Sequence, residues 1–165
     1  MFAMEKDEII KLLGLEAHPT EGGYFRRTYE SNLDCDTENG SRKLLTSIYY
    51  MLTKENLGGF LHRNKSDIIH YHQLGAAIKY TLVSPDGVIS EKILGPDIKN
   101  GESLQLVVPG GYWKASRLCS GEYGLISEAV SPGFDYADNE IATEELMQGK
   151  FPEIQSALQP YLKRV

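Results

Sequence analysis

The sequence has few cysteines and no long apolar run, and each shortage excludes a class of protein. The two cysteines, Cys35 and Cys119, lie far apart in 165 residues and outside any CxxC pattern, so we predict a reduced protein without a disulfide framework. No segment approaches the roughly 18 consecutive apolar residues of a membrane span. The first residues, MFAMEKDE, become charged too early for a signal peptide. We therefore expect a cytoplasmic protein with no membrane partner.

Positive charge is also in short supply. The chain has 17 Lys and Arg against 23 Asp and Glu, a formal net charge of −6. A nucleic-acid-binding protein usually has a clustered basic face, whereas the basic residues here are scattered among acidic ones, so we expect no nucleic-acid partner. The hydrophobic content of 41% is typical of a globular chain. The length of 165 residues predicts one domain, residues 1–165, with one sizeable core.

Patterns in the first third of the chain predict a helix followed by strands. In EKDEIIKLL (5–13) the apolar side chains fall on one side of a helix that Gly14 is suited to end. In YFRRTYES (24–31) the alternation predicts a strand with Tyr24, Arg26 and Thr28 on one face. The segment LDCDTENGSRK (33–43) has the composition of a polar loop, and LLTSIYYMLT (44–53) that of a buried strand.

Most of the remaining chain consists of short strand-like runs that turn signals such as PDG, NG and PGG separate. Regular spacing of this kind predicts an antiparallel sandwich or barrel. The last segment, 139–165, has helical character with interruptions at Gly149 and Pro152. The predicted fold is therefore all-β, with the barrel in residues 20–138 and short helices at both ends.

Several segments resemble the cupin superfamily. FLHRNKSDIIHYHQLG (60–75) resembles the first cupin motif, and GESLQLVVPGGYWKAS (101–116) resembles the second, in which a Pro-x-Gly turn leads into a strand. With HPTEGGYFRRTY, SIYYMLT and SPGFDYAD, the ordered set is similar to the domain-of-unknown-function 985 (cupin-5) family. The resemblance implies a double-stranded β-helix (the cupin jelly roll), a homodimer, and a small-molecule ligand inside the barrel.

The resemblance also implies where metal ligands would lie. A metal-binding cupin typically supplies two histidines and a glutamate from the first motif and one histidine from the second. His62 matches the first histidine, but Asn64 stands at the second and Ile68 at the glutamate. Lys114, an ammonium at neutral pH, stands at the last histidine. We therefore expect the usual cupin metal site to be absent and no metal cofactor to be used.

Two histidines are additions, because relatives usually read SDEIWHFY where this chain reads SDIIHYHQ. Ile68, His70 and His72 share one face of a strand, and the resemblance places that face inside the barrel. With His62, they could form a relocated site of three imidazoles for a divalent transition metal. Alternatively, His70 or His72 could serve as the base in metal-free proton transfer, because histidine titrates near neutrality.

Other polar side chains are candidates for binding a ligand. An arginine and a lysine that face one cavity would favour a carboxylate or a phosphate. The plain alternative is that these are surface charges, and that His18 and Glu21 serve only the local loop. The ligand-binding candidates are Tyr24, Arg26, Thr28, Asn64, Lys114 and Ser116.

Three functions are compatible with these patterns. The first is a metal-independent isomerase, epimerase or lyase that acts on a small anionic or sugar-like molecule, with a pocket histidine as acid and base. The second is a metalloenzyme that uses His62, His70 and His72. The third is a binding protein without catalytic activity. The loss of the usual ligands and the gain of two histidines favour the first.

Overall fold

The computed structural model describes residues 4–56 and 58–163. Thirteen strands and three short α-helices make up most of these residues. The strands are β1 (Glu16–Ala17), β2 (Tyr24–Glu30), β3 (Asp34–Thr37), β4 (Gly40–Lys43), β5 (Thr46–Thr53), β6 (His62–Asn64), β7 (Asp67–Gly75), β8 (Ile78–Val83), β9 (Ile89–Leu94), β10 (Gln105–Val108), β11 (Trp113–Leu118), β12 (Tyr123–Ser131) and β13 (Asn139–Ile141). The helices are α1 (Lys6–Leu13), α2 (Glu144–Lys150) and α3 (Gln155–Leu158), with 3₁₀ turns at Ile98–Asn100, Tyr136–Asp138 and Gln159–Tyr161.

Two antiparallel sheets pack face to face. One sheet has the order β1-β2-β5-β12-β7-β10 and the other has the order β13-β6-β11-β8-β9. This arrangement confirms the predicted jelly roll with short helices at both ends. The strands begin at Glu16 and end at Ile141, a few residues outside the predicted barrel limits at each end.

Alternation along the strands separates a central core from two outer layers. On β5, Tyr50 and Leu52 point into the space between the sheets, whereas Met51 points outward. The outer face of the first sheet is covered by α1, whose Ile9 packs with Met51. The outer face of the second sheet packs through Trp113 against the C-terminal helices. Each sheet is therefore buried on both faces over much of its area.

The predicted N-terminal helix is confirmed, and its end has a simple cause. Gly14 adopts a φ of 60°, and its backbone N–H donates to the carbonyls of Ile10 and Lys11. Glycine adopts this left-handed conformation without a steric penalty, which makes it the usual residue at a helix end. None of the helices among residues 4–56 and 58–163 is long and apolar enough to cross a membrane.

The prediction of a polar loop at residues 33–43 is wrong. These residues form the hairpin β3–β4, which turns at Glu38 and Asn39. The hairpin is fastened to the segment after β12 by Arg42, whose Nε donates to Asp138 Oδ2 at 2.7 Å and whose Nη2 donates to Oδ1 at 3.0 Å. Both strands are largely exposed, so their side chains are polar and their composition resembles that of a loop.

We predict that Asp138→Asn lowers the melting temperature at pH 7, because the Arg42 pair loses its charge and one of its two hydrogen bonds. The hydrogen bonds from Arg42 lower the pKa of the Asp138 carboxyl from its ordinary 3.8. The stabilisation is therefore present above about pH 4 and is lost as the pH falls further. Thermal melts at pH 7 and pH 2 check this: the difference from the wild type should nearly vanish at pH 2.

The matched control is Asp36→Asn on the same hairpin, because Asp36 is exposed. Its melting temperature should stay close to that of the wild type at both pH values. An Asp138→Asn variant as stable as the wild type at pH 7 would contradict the role of this ion pair.

Candidate functional site

Apolar side chains fill only one part of the space between the sheets. Along the inner face of β12, Gly124 and Ile126 are followed by Glu128 and then Val130, so the apolar core gives way to a carboxylate. A cavity of about 60 Å³, counted as the space that centres of water molecules can reach, lies there. That space holds a few water molecules or a small organic ligand. Its lining is His18, Glu21, Phe25, Arg27, Thr46, Ile48, His62, Asn64, Ile68, Lys114, Glu128, Val130, Phe134, Tyr136 and Asn139.

A buried charged cluster joins the two sheets beside this cavity. His70 on β7 and Glu128 on β12 are cross-strand partners in the first sheet, and Lys114 projects from β11 of the second. The Nζ atom of Lys114 lies 2.8 Å from His70 Nε2 and 3.7 Å from Glu128 Oε1. His70 Nε2 lies 3.4 Å from the same carboxylate oxygen. The His70 side chain is fully buried against Lys114, and it does not line the cavity.

Burial and charge set the protonation states of this cluster. Burial lowers the pKa of His70, and the Lys114 ammonium lowers it further, so His70 is neutral and its Nε2 accepts a hydrogen bond from Lys114. Burial alone would raise the pKa of the Glu128 carboxyl, but the positive charge of Lys114 brings it well below its ordinary value. The cluster is therefore an ammonium–carboxylate pair supported by a neutral imidazole.

The ammonium of Lys114 has unused hydrogen-bonding capacity. An ammonium carries three N–H donors, yet the only hydrogen bond of the Lys114 side chain within the described residues is the one to His70. Its 3.7 Å separation from Glu128 is an ion pair without a hydrogen bond. A buried cation with spare donors at a cavity wall can bind an anionic oxygen of a ligand.

A second polar group lies in the loop before β2. The Nδ1 atom of His18 accepts hydrogen bonds from the backbone N–H groups of Thr20 at 3.2 Å and Glu21 at 3.0 Å. Gly23 has a φ of 72°, and a Cβ there would collide with the Met51 carbonyl. The glycines thus serve turn geometry. The turn also directs the carboxylate of Glu21 into the cavity, which the sequence-based interpretation did not anticipate.

The Glu21 carboxylate lies between two imidazoles. Its Oε1 is 3.7 Å from His62 Nε2, and its Oε2 is 4.0 Å from His18 Nε2. The Nδ1 atom of His62 lies 2.8 Å from the carbonyl of Phe60, which can only accept. Nδ1 of His62 therefore carries a proton, and Nε2 is the atom that gains or loses one. His62 is thus a cavity group with a defined site for proton transfer.

Two amide atoms in the cavity wall have no hydrogen-bond partner among residues 4–56 and 58–163. They are Nδ2 of Asn64 and Oδ1 of Asn139, and both are shielded from solvent. The other end of the Asn64 amide is fixed, because its Oδ1 accepts from the Ser66 N–H at 2.9 Å. A buried polar atom without a partner costs about 1–3 kcal/mol, so such a pair beside a cavity marks a place for a polar ligand group.

The structure separates the three histidines that the sequence grouped. His62 lines the cavity, and the inward orientation of the face shared by Ile68 and His70 agrees with the expectation. His72 lies further along β7, half-buried and opposite Ile126, with Nε2 at 3.4 Å from the Ala76 carbonyl. The grouping of the three histidines in one pocket is wrong, because only His62 lines the cavity.

The expected inward face of β2 is also wrong. Phe25 and Arg27 line the cavity, whereas Tyr24 packs on the outer side with α1. Arg26 donates to the Leu13 carbonyl at 2.9 Å, also on that outer side.

Thr28 is exposed, at a break in register between Arg27 and Tyr29, and does not line the cavity. Of the remaining candidates, Asn64 and Lys114 line the cavity. Ser116, two residues beyond Lys114 on β11, is half-buried and lies outside its lining.

Sequence reasoning missed Glu128, the central acid of the site. A signal was present, because GLISEAV alternates and puts Glu128 on the same face as Ile126 and Val130. A lone carboxylate on an otherwise apolar strand face needs a buried partner. Phe134 and Tyr136 were missed as well, since their place at the cavity depends on the Thr46 hydroxyl, which accepts from the Phe134 N–H at 2.9 Å.

The donor set does not fit the metal that many cupins bind. No group of three or more His, Cys, Asp or Glu side chains in the described part of the chain has the arrangement of a metal site. The positively charged Lys114 lies where the resemblance puts a ligand histidine, and His70 is fully buried behind it. The relocated site of His62, His70 and His72 does not form, because His72 lies away from the other two.

Two facing antiparallel sheets that enclose a partly polar cavity define a small-molecule-binding cupin. The chain belongs to the family described as Cupin superfamily (DUF985), whose model matches residues 7–142. This match confirms the family that the ordered motifs predicted.

Known proteins similar to this chain support the same family. The protein YML079W of Saccharomyces cerevisiae, named as uncharacterized, is 43% identical over 134 residues, a match that covers 72% of this chain and 66% of the yeast protein. This chain thus spans just under two thirds of the yeast protein's length.

Among solved structures, a hypothetical protein from Leishmania major has a TM-score of 0.89 at 29% identity and covers 98% of this chain and 100% of its own. Protein SO0799 from Shewanella oneidensis has a TM-score of 0.86 at 30% identity, with coverage of 98% and 99%. Oxalate decarboxylase from Bacillus subtilis shares the fold alone, with a TM-score of 0.57 at 15% identity over 89% of this chain and 37% of the decarboxylase.

We predict that acid destabilises the protein in two stages. His70 has a pKa below its ordinary 6.5 when folded, so the unfolded chain takes up a proton first, and stability falls as the pH drops below about 6.5. Glu128 has a pKa below its ordinary 4.5, so its stabilisation is present above about pH 4.5 and is lost as the pH falls further. The free energy of unfolding in urea, measured from pH 8 to pH 3, checks both stages.

The variant Glu128→Gln should lower the free energy of unfolding at pH 7 by about 3–5 kcal/mol, because it leaves Lys114 buried without a counter-charge. It should also weaken the second acid stage. The matched control is Glu122→Gln, which removes an exposed carboxylate paired with Lys54 and should leave the stability nearly unchanged. An acid profile of Glu128→Gln equal to that of the wild type would contradict the assignment.

Proposed function

We propose that the protein is a metal-independent enzyme that moves a proton on a small carboxylate, in the manner of an isomerase, an epimerase or a lyase. In this proposal His62 takes and returns the proton, and Lys114 binds the substrate carboxylate. The observation that carries the proposal is the His62 imidazole: its Nε2 is free to take a proton, and it lines a cavity that also contains a buried ammonium.

The charges around the cavity support an anionic substrate. Lys114 has spare N–H donors, and Arg27 lies in the cavity wall, where its Nη1 donates to Glu30 Oε2 at 2.7 Å. Because Glu128 balances the charge of Lys114, the ammonium is held in place before a ligand arrives. A substrate carboxylate then needs only to replace water at the donors of Lys114 and Arg27.

Neighbouring strands bring the proton acceptor and the anion site together. His62 on β6 and Lys114 on β11 are directly opposed in the second sheet, and the Cβ atoms of such pairs lie about 4.5–5.5 Å apart. A carboxylate bound at Lys114 therefore presents its adjacent carbon to His62. The positive charge of the ammonium stabilises the enolate-like charge that develops when the proton leaves that carbon.

Glu21 and Phe60 give His62 the environment of an acid–base group. The Phe60 carbonyl fixes the tautomer through Nδ1, and the Glu21 carboxylate, 3.7 Å from Nε2, stabilises the imidazolium that forms on proton uptake. His70 and His72, the bases expected from the sequence, do not have this role in the proposal. The Nε2 of His70 is engaged by Lys114, and His72 lies outside the cavity.

We expect the wild type to catalyse exchange of a carbon-bound proton with D₂O in one or more members of a panel of three- to five-carbon 2-oxo and 2-hydroxy acids. The exchange should continue in EDTA and should be measurable by ¹H NMR. His62→Gln should slow it by about 10²–10⁴-fold, the usual contribution of a general base. The control His72→Gln should exchange at the wild-type rate, because the cavity does not include His72.

Three results would count against the proposal. Exchange that is lost in EDTA and restored by a divalent metal would favour the metalloenzyme. Binding of the acids without any exchange would favour a binding protein without catalysis. Equal loss of exchange in both histidine variants would remove the specific role of His62.

We further propose a homodimer in the cytoplasm, which the family resemblance and the reduced cysteines support. Light scattering of the purified protein should give twice the mass of the 18.5 kDa chain. A mass of one chain at micromolar concentration would contradict the dimer.

A further inference from the structure

We propose that Asn64 and Asn139 recognise a hydroxyl group of the substrate, so that the cavity is built for small 2-hydroxy or polyhydroxy acids. This inference rests on the proposed function, because it assumes that the substrate carboxylate binds at Lys114. The inference adds the chemical class of the substrate, which is an acid with a hydroxyl group near its carboxylate.

The orientation of the Asn64 amide is determined by its neighbour. Its Oδ1 accepts from the Ser66 N–H at 2.9 Å, and a hydrogen bond from an N–H requires an oxygen at that position. Nδ2 therefore points the other way as a donor, and it is buried without a partner among the described residues. The residue is 5% exposed and lines the cavity.

Asn139 provides the complementary atom. It lies on β13 directly opposite Asn64 on β6, lines the same cavity, and has a buried Oδ1 without a partner in the described part of the chain. A donor and an acceptor thus lie side by side, each with an unmet hydrogen bond. A hydroxyl group satisfies both because it accepts one hydrogen bond and donates another. A methyl group satisfies neither, and a carboxylate cannot donate to Asn139.

The position of the pair relative to His62 defines the class further. His62 and Asn64 are two residues apart on β6, so they lie on the same face about 6–7 Å apart along the strand. Three successive functions then line the wall: the ammonium of Lys114, the imidazole of His62, and the amide pair. A molecule that matches them has a carboxylate, an adjacent carbon with a transferable proton, and a hydroxyl on that carbon or on the next.

The size of the cavity and its apolar walls restrict the substrate. The polar groups face Phe25, Ile48 and Phe134 across a cavity of about 60 Å³, so a compact acid of a few carbons fits better than a long or branched one. Buried polar groups that hydrogen-bond a hydroxyl discriminate strongly against a ligand that lacks the hydroxyl, because they are then left without partners.

The test uses lactate and propionate, two acids that differ only by the hydroxyl, and follows backbone chemical shifts in NMR titrations. The wild type should bind lactate at least tenfold more tightly than propionate in the presence of EDTA. In Asn139→Leu, which keeps the side-chain volume but removes the oxygen, the ratio of the two dissociation constants should fall severalfold, because the hydroxyl loses one of its two hydrogen bonds.

A second variant keeps the test valid if the first is poorly folded. Asn64→Asp retains the oxygen that holds the Ser66 N–H and replaces only the unpaired donor. Its added charge affects lactate and propionate equally, so the ratio again reports the hydroxyl, and it should fall severalfold because no donor remains for the hydroxyl oxygen. The amide spectrum of each variant shows whether the fold is intact.

The possible outcomes separate this inference from the proposed function. Equal affinity of the wild type for lactate and propionate would overturn the hydroxyl site and leave the carboxylate site standing. A preference for lactate that is as large in both variants as in the wild type would also overturn it. If neither acid binds at 50 mM, the carboxylate site itself is wrong and the inference fails with it.

Discussion

The buried pair of Lys114 and Glu128 is the interaction on which the site depends. Its members come from opposite sheets, so the pair forms an electrostatic link across the sandwich at the point where the apolar core ends. Neither charge is stable there alone, because burial of a single ion costs several kcal/mol. Together, with His70 behind them, they give the cavity a fixed polar wall. The position of His62 beside Lys114 and the shape of the remaining space both follow from this wall.

Much of the fold could be predicted from the sequence because its information is local. The α1 helix, its end at Gly14 and the buried β5 strand each follow from periodicity or from glycine chemistry within a dozen residues. The family followed from the order of several motifs. Within the site, His62, Asn64 and Lys114 were identified because they stand at positions where the resemblance puts metal ligands, and all three line the cavity.

The rest of the site could not be predicted because it depends on contacts between distant segments. Arg27 rather than Arg26 faces the cavity, and a strand pattern with large and polar residues on both faces does not distinguish the two. Glu128 meets Lys114 only through the packing of the two sheets. His72 lies outside the cavity because that end of β7 lies beside the apolar core. Such pairings are properties of register and sheet packing, which no short stretch of sequence contains.

The cross-sheet pair also constrains which substitutions the site tolerates. A histidine at position 114 would remove the ammonium and leave Glu128 as an unpaired buried carboxylate. A change of Glu128 alone would leave Lys114 buried without a counter-charge. A glutamate at position 68 would put a second negative charge near Glu128. Each single replacement passes through a destabilised protein, so only concerted substitutions can exchange this cluster for a different set of side chains. Descendants of this chain should therefore inherit positions 70, 114 and 128 as one unit.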